Sequence, residues 1–306
     1  MGDRVIINDV GPRDGLQNQP KILTANQRLQ LVKALITAGV GHIEVGSFVS
    51  PNAVPAMANT DQVLAGLKDV TNTQFTVLIP NLKGYELATA AGAKGVTMVL
   101  YGSDGMAEKN VAMSKAEAER VTAGILNQAK RDGIQVSTAI AVAFECPFDG
   151  PVAPVEVERI AGTFLDLGAD EIVLADTIGA ANPGQVRALT GALVNSHGVE
   201  PLACHFHDTR AMGLANVYAA LESGIRKFDA SIAGLGGCPF APGASGNVAT
   251  EDVVMLLEQM GFETGIDLTG LMEAAHMAKE LSGTAPGGRA SAWLERHVER
   301  LGRVHD

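Results

Sequence analysis

One feature constrains this chain more than any other. A short β-branched run is followed by a longer stretch with helical periodicity, and the pair recurs eight times. The strand-like runs are VIINDVG (5–11), HIEVGSF (42–48), QFTVLIP (74–80), GVTMVLYG (95–102), QVSTAIAVAFE (135–145), EIVLADTIG (171–179), PLACHFHD (201–208) and KFDASIAG (227–234). The stretches between them read as helices. In 24–39, Leu29, Val32, Leu35 and Ile36 share one face and Gly39 closes the segment. The stretch 114–133 opens with Ser114 three residues before Glu117, a capping-box spacing. Strands alternating with helices through short connections imply right-handed crossovers and parallel strands. Eight such units predict an α/β chain folded as a closed (β/α)8 TIM barrel. An open doubly wound sheet fits less well, because it usually has fewer strands and no G-x-G-x-x-G follows the first one. We expect a single catalytic domain over 1–306: a barrel over 4–262 and a helical extension over 263–306, built from 267–283 and 291–302.

Of the 306 residues, 46% are apolar and 19% charged, enough to bury a sizeable core. A formal charge of −11 disfavours nucleic acid and acidic membrane surfaces. Three widely spaced cysteines, Cys146, Cys204 and Cys238, suit a reducing compartment better than a disulfide framework. The N-terminal MGDRVIINDVG has no signal-peptide layout, and no run of about 18 apolar residues offers a membrane span. A cytoplasmic protein is expected.

Active sites of such barrels lie at the C-terminal ends of the strands. The polar residues there are Arg13 and Asp14 after the first strand, Glu44 at the second and Asp176 at the sixth. His205, His207 and Asp208 lie at the seventh, and the loop GLGGCPFAPGASGN after the eighth carries Cys238 and Asn247. His205 and His207 are two apart in a strand and so share a face. We assign them inward, since Cys204 and Phe206 suit the helix-packed side. Asp14 and Asn247 follow strands one and eight, neighbours that close the barrel beside strand seven. A carboxylate, an amide oxygen and two imidazoles suit Mg²⁺ or Mn²⁺, whereas a thiolate zinc site would need several cysteines. Hydrogen-bonded histidines in a polar barrel mouth would be the plain alternative, but such residues would scatter over both ends of the barrel.

The stretches VGPRDGLQN (10–18), IEVGSFVSP (43–51), ADTIG (175–179), HFHDT (205–209) and GLGGCPFAPGASGNVATED (234–252) resemble the 3-hydroxy-3-methylglutaryl-CoA lyase family of TIM-barrel metallolyases. The last is the most specific, because related synthases lack its Cys-Pro-aromatic loop. The resemblance implies Asp14, His205, His207 and Asn247 as ligands of a divalent cation, and Arg13 as the cation that stabilises a developing enolate. It also implies Cys238 as a mobile-loop acid/base, and Glu44 and Asp176 as catalytic or supporting carboxylates. The partner it implies is an acyl-CoA. Lys21, Lys83 and Lys109, after strands one, three and four, and Asn18 are the candidate CoA contacts. A homo-oligomer is expected, with neither nucleic acid nor membrane as partner. Three positions depart from the family: Arg210-Ala211-Met212 where Tyr-Gly-Gln is usual, Gln19 where Glu is frequent, and AFECPF at 143–148. They surround the acyl pocket, so a longer branched or citramalyl-type 3-hydroxyacyl-CoA stays open, and Arg210 can pair with a substrate carboxylate or lie in solvent. A Claisen-type synthase of the same superfamily would share the Asp and His-x-His ligands.

Overall fold

The computed structural model describes residues 3–237 and 246–304, the side chains of 298–304 excepted. Its strands are β1 (Ile6–Asp9), β2 (His42–Ser47), β3 (Gln74–Leu78), β4 (Gly95–Tyr101) and β5 (Gln135–Ala141). A two-stranded hairpin follows, β6 (Glu145–Cys146) and β7 (Gly150–Pro151), and then β8 (Glu171–Asp176), β9 (Leu202–Phe206) and β10 (Lys227–Ala230). The eight longer strands are parallel and close in the order β1-β10-β9-β8-β5-β4-β3-β2. Helices α1 (Ala25–Thr37), α2 (Thr60–Ala65), α3 (Leu82–Ala90), α4 (Asp104–Val111), α5 (Lys115–Asp132), α6 (Pro154–Leu167), α7 (Pro183–His197), α8 (Gly213–Glu222) and α9 (Thr250–Gln259) run between and after the strands. Helices α10 (Leu268–Ser282) and α11 (Ser291–Val304) extend the C-terminus. The fold is thus the expected (β/α)8 barrel with added helices.

Local chemistry explains the boundaries. Thr24 and Gln27 form a reciprocal capping box that starts α1, and Asn182 with Gln185 does the same for α7, whose first residue is Pro183. Before α5, the Ser114 hydroxyl accepts from the Glu117 N–H at 3.3 Å. Strand alternation sends Ile43, Val45, Cys204, Phe206 and Phe228 into the apolar layer beneath the helices. The intervening Glu44, Asn8, His205 and Asp229 line the barrel interior.

Two of the differences from the sequence expectation stand out. The fifth strand ends at Ala141, not Glu145. Val142 takes a left-handed conformation (φ 51°), and the chain then folds into the β6–β7 hairpin. Helix α4 inserts between β4 and α5, capped by the Ser103 hydroxyl and carrying Lys109. Its sequence, DGMAEKNV, is too short and too polar to show an apolar face.

Candidate metal centre at the barrel mouth

Arg13 and Asp14 lie in a π-helical turn, Gly11–Gly15, directly after the first strand. The turn packs against the loop after β10: a Cβ on Gly15 would lie 2.8 Å from both Ser231 Oγ and Leu235 Cβ, so only glycine fits. His205 ends the inward-facing series of β9, and His207 lies just beyond it. The chain then returns at 246–249 alongside this strand end. The Asp208 N–H donates to the Gly246 carbonyl, the Val248 N–H to that of Phe206 and the Ser231 N–H to that of Val248, each at 3.0 Å. The resulting bridge pairs His207 with Asn247. Gly236 makes the approach possible: its φ is +147°, and a Cβ there would meet Asn247 Nδ2 at 2.7 Å.

These connections bring ligand atoms of Asp14, His205 and His207 within 4.8 Å of one another. His207 Nε2 lies 3.9 Å from Asp14 Oδ2, and the imidazole centroids are 5.2 Å apart. Asn247 Nδ2 donates to Asp14 Oδ2 at 2.8 Å and to the Leu235 carbonyl at 3.1 Å. Its Oδ1 is buried without a hydrogen-bond partner among the described residues, as is His207 Nδ1. An unpartnered buried acceptor disfavours the fold unless something meets it.

Electrostatics suit a cation. Burial would raise the Asp14 carboxyl, but the positive charges of Arg13, His205 and His207 outweigh it and hold its pKa down to about 2. Burial, reinforced by the neighbouring His205, pushes His207 down to about 4, so its imidazole is neutral at pH near 7. Burial also lowers His205, but the hydrogen bond from its Nδ1 to Asp229 Oδ2 at 3.1 Å, with the Asp229 and Asp14 charges, carries its pKa above the ordinary value. Asp14, Glu44 and Asp229 thus face a single guanidinium, Arg13, in one cavity of about 620 Å³. Arg13 Nη1 is 2.7 Å from Asp14 Oδ1, and its Nε donates to Glu44 Oε2 in a short contact. Burial raises the Glu44 pKa, and Arg13 offsets part of that rise.

The remaining predicted positions divide. Asn18 lines the cavity, whereas Lys21, Lys83 and Lys109 are exposed outside its lining. Lys83 pairs with Glu86 at 3.3 Å, and Lys109 Nζ sits 5.9 Å from the Phe148 ring centroid. Asp176 is buried outside the lining, and its carboxylate accepts from the Ala180 and Ala181 N–H groups at 2.8 and 3.0 Å, closing its own turn. Arg210 reaches the Ala180 carbonyl at 3.3 Å and Glu145 at 3.9 Å. Cys238 lies outside the described residues. Asp229 and Asn8 escaped the sequence reading. Their signal is alternation: Asn8 and Asp229 stand at inward positions of β1 and β10, next to the buried Ile7 and Phe228.

A half-buried ionised carboxylate, a neutral imidazole and an unpartnered amide oxygen form a donor set that fits a hard divalent cation, with His205 in its neutral form as fourth ligand. Comparison with known proteins gives the lineage. The family model described as HMGL-like matches residues 4–278. The (R)-citramalyl-CoA lyase of Chloroflexus aurantiacus is 46% identical over 283 residues, 89% of each chain. The hydroxymethylglutaryl-CoA lyase of Pseudomonas mevalonii is 42% identical over 296 residues, 97% of this chain and 98% of that one. The crystal structure of hydroxymethylglutaryl-CoA lyase from Pseudomonas aeruginosa superposes with a TM-score of 0.93 at 39% identity, covering 97% of this chain and 99% of that one. A shared barrel alone would leave the lineage open, but matches of this identity along nearly the whole chain do not: it belongs to the HMGL-like family.

Proposed function

We propose that this chain is a divalent-cation-dependent carbon–carbon lyase that cleaves 3-hydroxy-3-methylglutaryl-CoA to acetyl-CoA and acetoacetate. The observation behind it is the meeting of Asp14, His205, His207 and the unpartnered Asn247 Oδ1 beside the Arg13 guanidinium, in a chain 42% identical to a lyase of that name. Asp14, His205, His207 and Asn247 would hold Mg²⁺ or Mn²⁺. Such an ion supplies Lewis acidity that lowers the pKa of the substrate hydroxyl and orients it. The protein does the rest. Cys238, as thiolate, takes up the hydroxyl proton, and the bond between the carbinol carbon and the thioester α-carbon then breaks. The carbinol carbon becomes the ketone of acetoacetate, and the bond's electron pair passes into a thioester enolate. Arg13, fixed by Glu44 and Asp14, places a permanent positive charge where the enolate oxygen develops. Cys238 delivers the proton that turns the enolate into acetyl-CoA. Asp176 supports the mouth by closing the turn after β8. The acidic net charge and the two buried free thiols among the described residues suit a cytoplasmic location.

A second reading has its own support. The relative at 46% identity is named for (R)-citramalyl-CoA, whose acyl group lacks one methylene between carbinol and carboxylate. One methylene is worth about 1–3 kcal/mol of discrimination, so a few pocket side chains decide between the two. Chelator-treated protein should cleave neither thioester, and Mn²⁺ should restore cleavage. A panel of 3-hydroxyacyl-CoAs, followed by mass spectrometry for acetyl-CoA, should give the highest kcat/KM for the hydroxymethylglutaryl ester. A preference for citramalyl-CoA would move the assignment to the second reading, and full activity after thorough chelation would remove the cation from it.

A further inference from the structure

We infer that Asp229 is a positioning residue for the cation site, fixing the tautomer and the ring plane of His205 so that Nε2 is the atom presented to the ion. This rests on the cation reading above.

Strand register dictates the arrangement. Asn8 of β1 is paired with Asp229 of β10, and Asp229 with His205 of β9. The three side chains line the same interior cavity from adjacent strands. They form a continuous chain: Asn8 Nδ2 donates to Asp229 Oδ1 at 2.8 Å, and Asp229 Oδ2 lies 3.1 Å from His205 Nδ1. One carboxylate oxygen is therefore committed to Asn8, and the other accepts the Nδ1 proton. With Nδ1 occupied as a donor, His205 faces Asp14 and His207 through Nε2. A carboxylate behind an imidazole both orients the ring and makes its free nitrogen a better donor, and loss of such a partner commonly weakens metal binding about 10–100-fold. His207 has no equivalent: its Nδ1 is without a partner among the described residues. The two histidines are thus unequal ligands, with one locked by a carboxylate of the barrel wall and the other held by packing, by Asp14 Oδ2 3.9 Å from its Nε2 and by its backbone bridge to Asn247.

The experiment measures Mn²⁺ binding by titration calorimetry on chelator-stripped protein, and the His205 tautomer from long-range ¹H–¹⁵N correlations of the same samples. Wild type should bind one ion with His205 protonated at Nδ1. Asp229→Ala should lower affinity about 10–100-fold and mix the two tautomers. Asp229→Asn keeps an acceptor oxygen and the packing, so it should hold the Nδ1–H tautomer and lose less affinity than Asp229→Ala. This variant also serves if Asp229→Ala fails to fold. Unchanged affinity in folded Asp229→Ala, or an Asp229→Asn protein with a scrambled tautomer and wild-type affinity, would overturn the role. Wild-type protein that binds no Mn²⁺ would overturn the cation reading itself and this inference with it.

Discussion

Replacing Arg13 tests two functions that the structure gives to one side chain. Its guanidinium is 12% exposed and the carboxylate of Glu44 2% exposed, so Arg13→Ala leaves Glu44 buried without its counter-charge. Breaking a buried pair by removing one partner costs about 3–5 kcal/mol. At roughly 2–4 °C per kcal/mol for a large domain, the melting temperature should fall by about 6–20 °C. Glu44 can relieve part of this by taking up a proton, since burial already raises its pKa. The catalytic loss is separate. Removing one preorganised donor to a developing oxyanion costs about 10²–10³ in kcat. The double variant Arg13→Ala/Glu44→Gln removes the stranded charge, so it should regain most of the melting temperature and none of the turnover. Circular dichroism on heating and the rate of acetoacetate formation read the two effects. Recovery of turnover in the double variant, or a loss below about tenfold in Arg13→Ala, would show that Arg13 acts only by holding the fold.

Two further perturbations address other parts of the molecule. Asp9 is fully buried, accepting from the Thr250 hydroxyl at 2.7 Å and the Gly11 N–H at 2.8 Å, and burial pushes its pKa from 3.8 to about 7. The folded state therefore holds this proton more tightly than the unfolded chain, so its stabilising effect is complete below about pH 4 and lost as pH rises through about 7. Asp9→Asn should flatten the decline in melting temperature between about pH 5 and pH 8; an unchanged slope would assign the decline to other groups. Cys238→Ser should slow turnover by about 10²–10⁴ while leaving bound Mn²⁺ unchanged, and wild-type rates would take the thiol out of the reaction.

Most of the barrel was legible because strand and helix periods alternate without interruption, and each strand's apolar face must meet a helix. The histidine pair was legible for a related reason. A spacing of two in a strand puts both rings on one face, and the apolar Cys204 and Phe206 claim the other. Position along the chain also indicated that Asp14 and Asn247 lie beside them, since strand eight neighbours strand seven and strand one follows on its far side once the sheet closes. What periodicity cannot encode was missed. Helix α4 is only eight residues long with no apolar stripe, and the turn at Val142 depends on a left-handed backbone in a residue that rarely adopts it. The lysines were placed by strand order alone. Side-chain reach decides their surroundings, and it is not written in spacing. Asp229 was overlooked because a lone acidic residue in a short strand looks like a solvated edge until register sets it between Asn8 and His205.

The most direct measurement is an anomalous-difference map from a crystal of the chelator-stripped protein soaked in Mn²⁺. We expect a single strong peak at coordination distance from Asp14, His205 Nε2, His207 and Asn247 Oδ1. A map with no peak between those four side chains, in crystals that cleave substrate, would contradict the account.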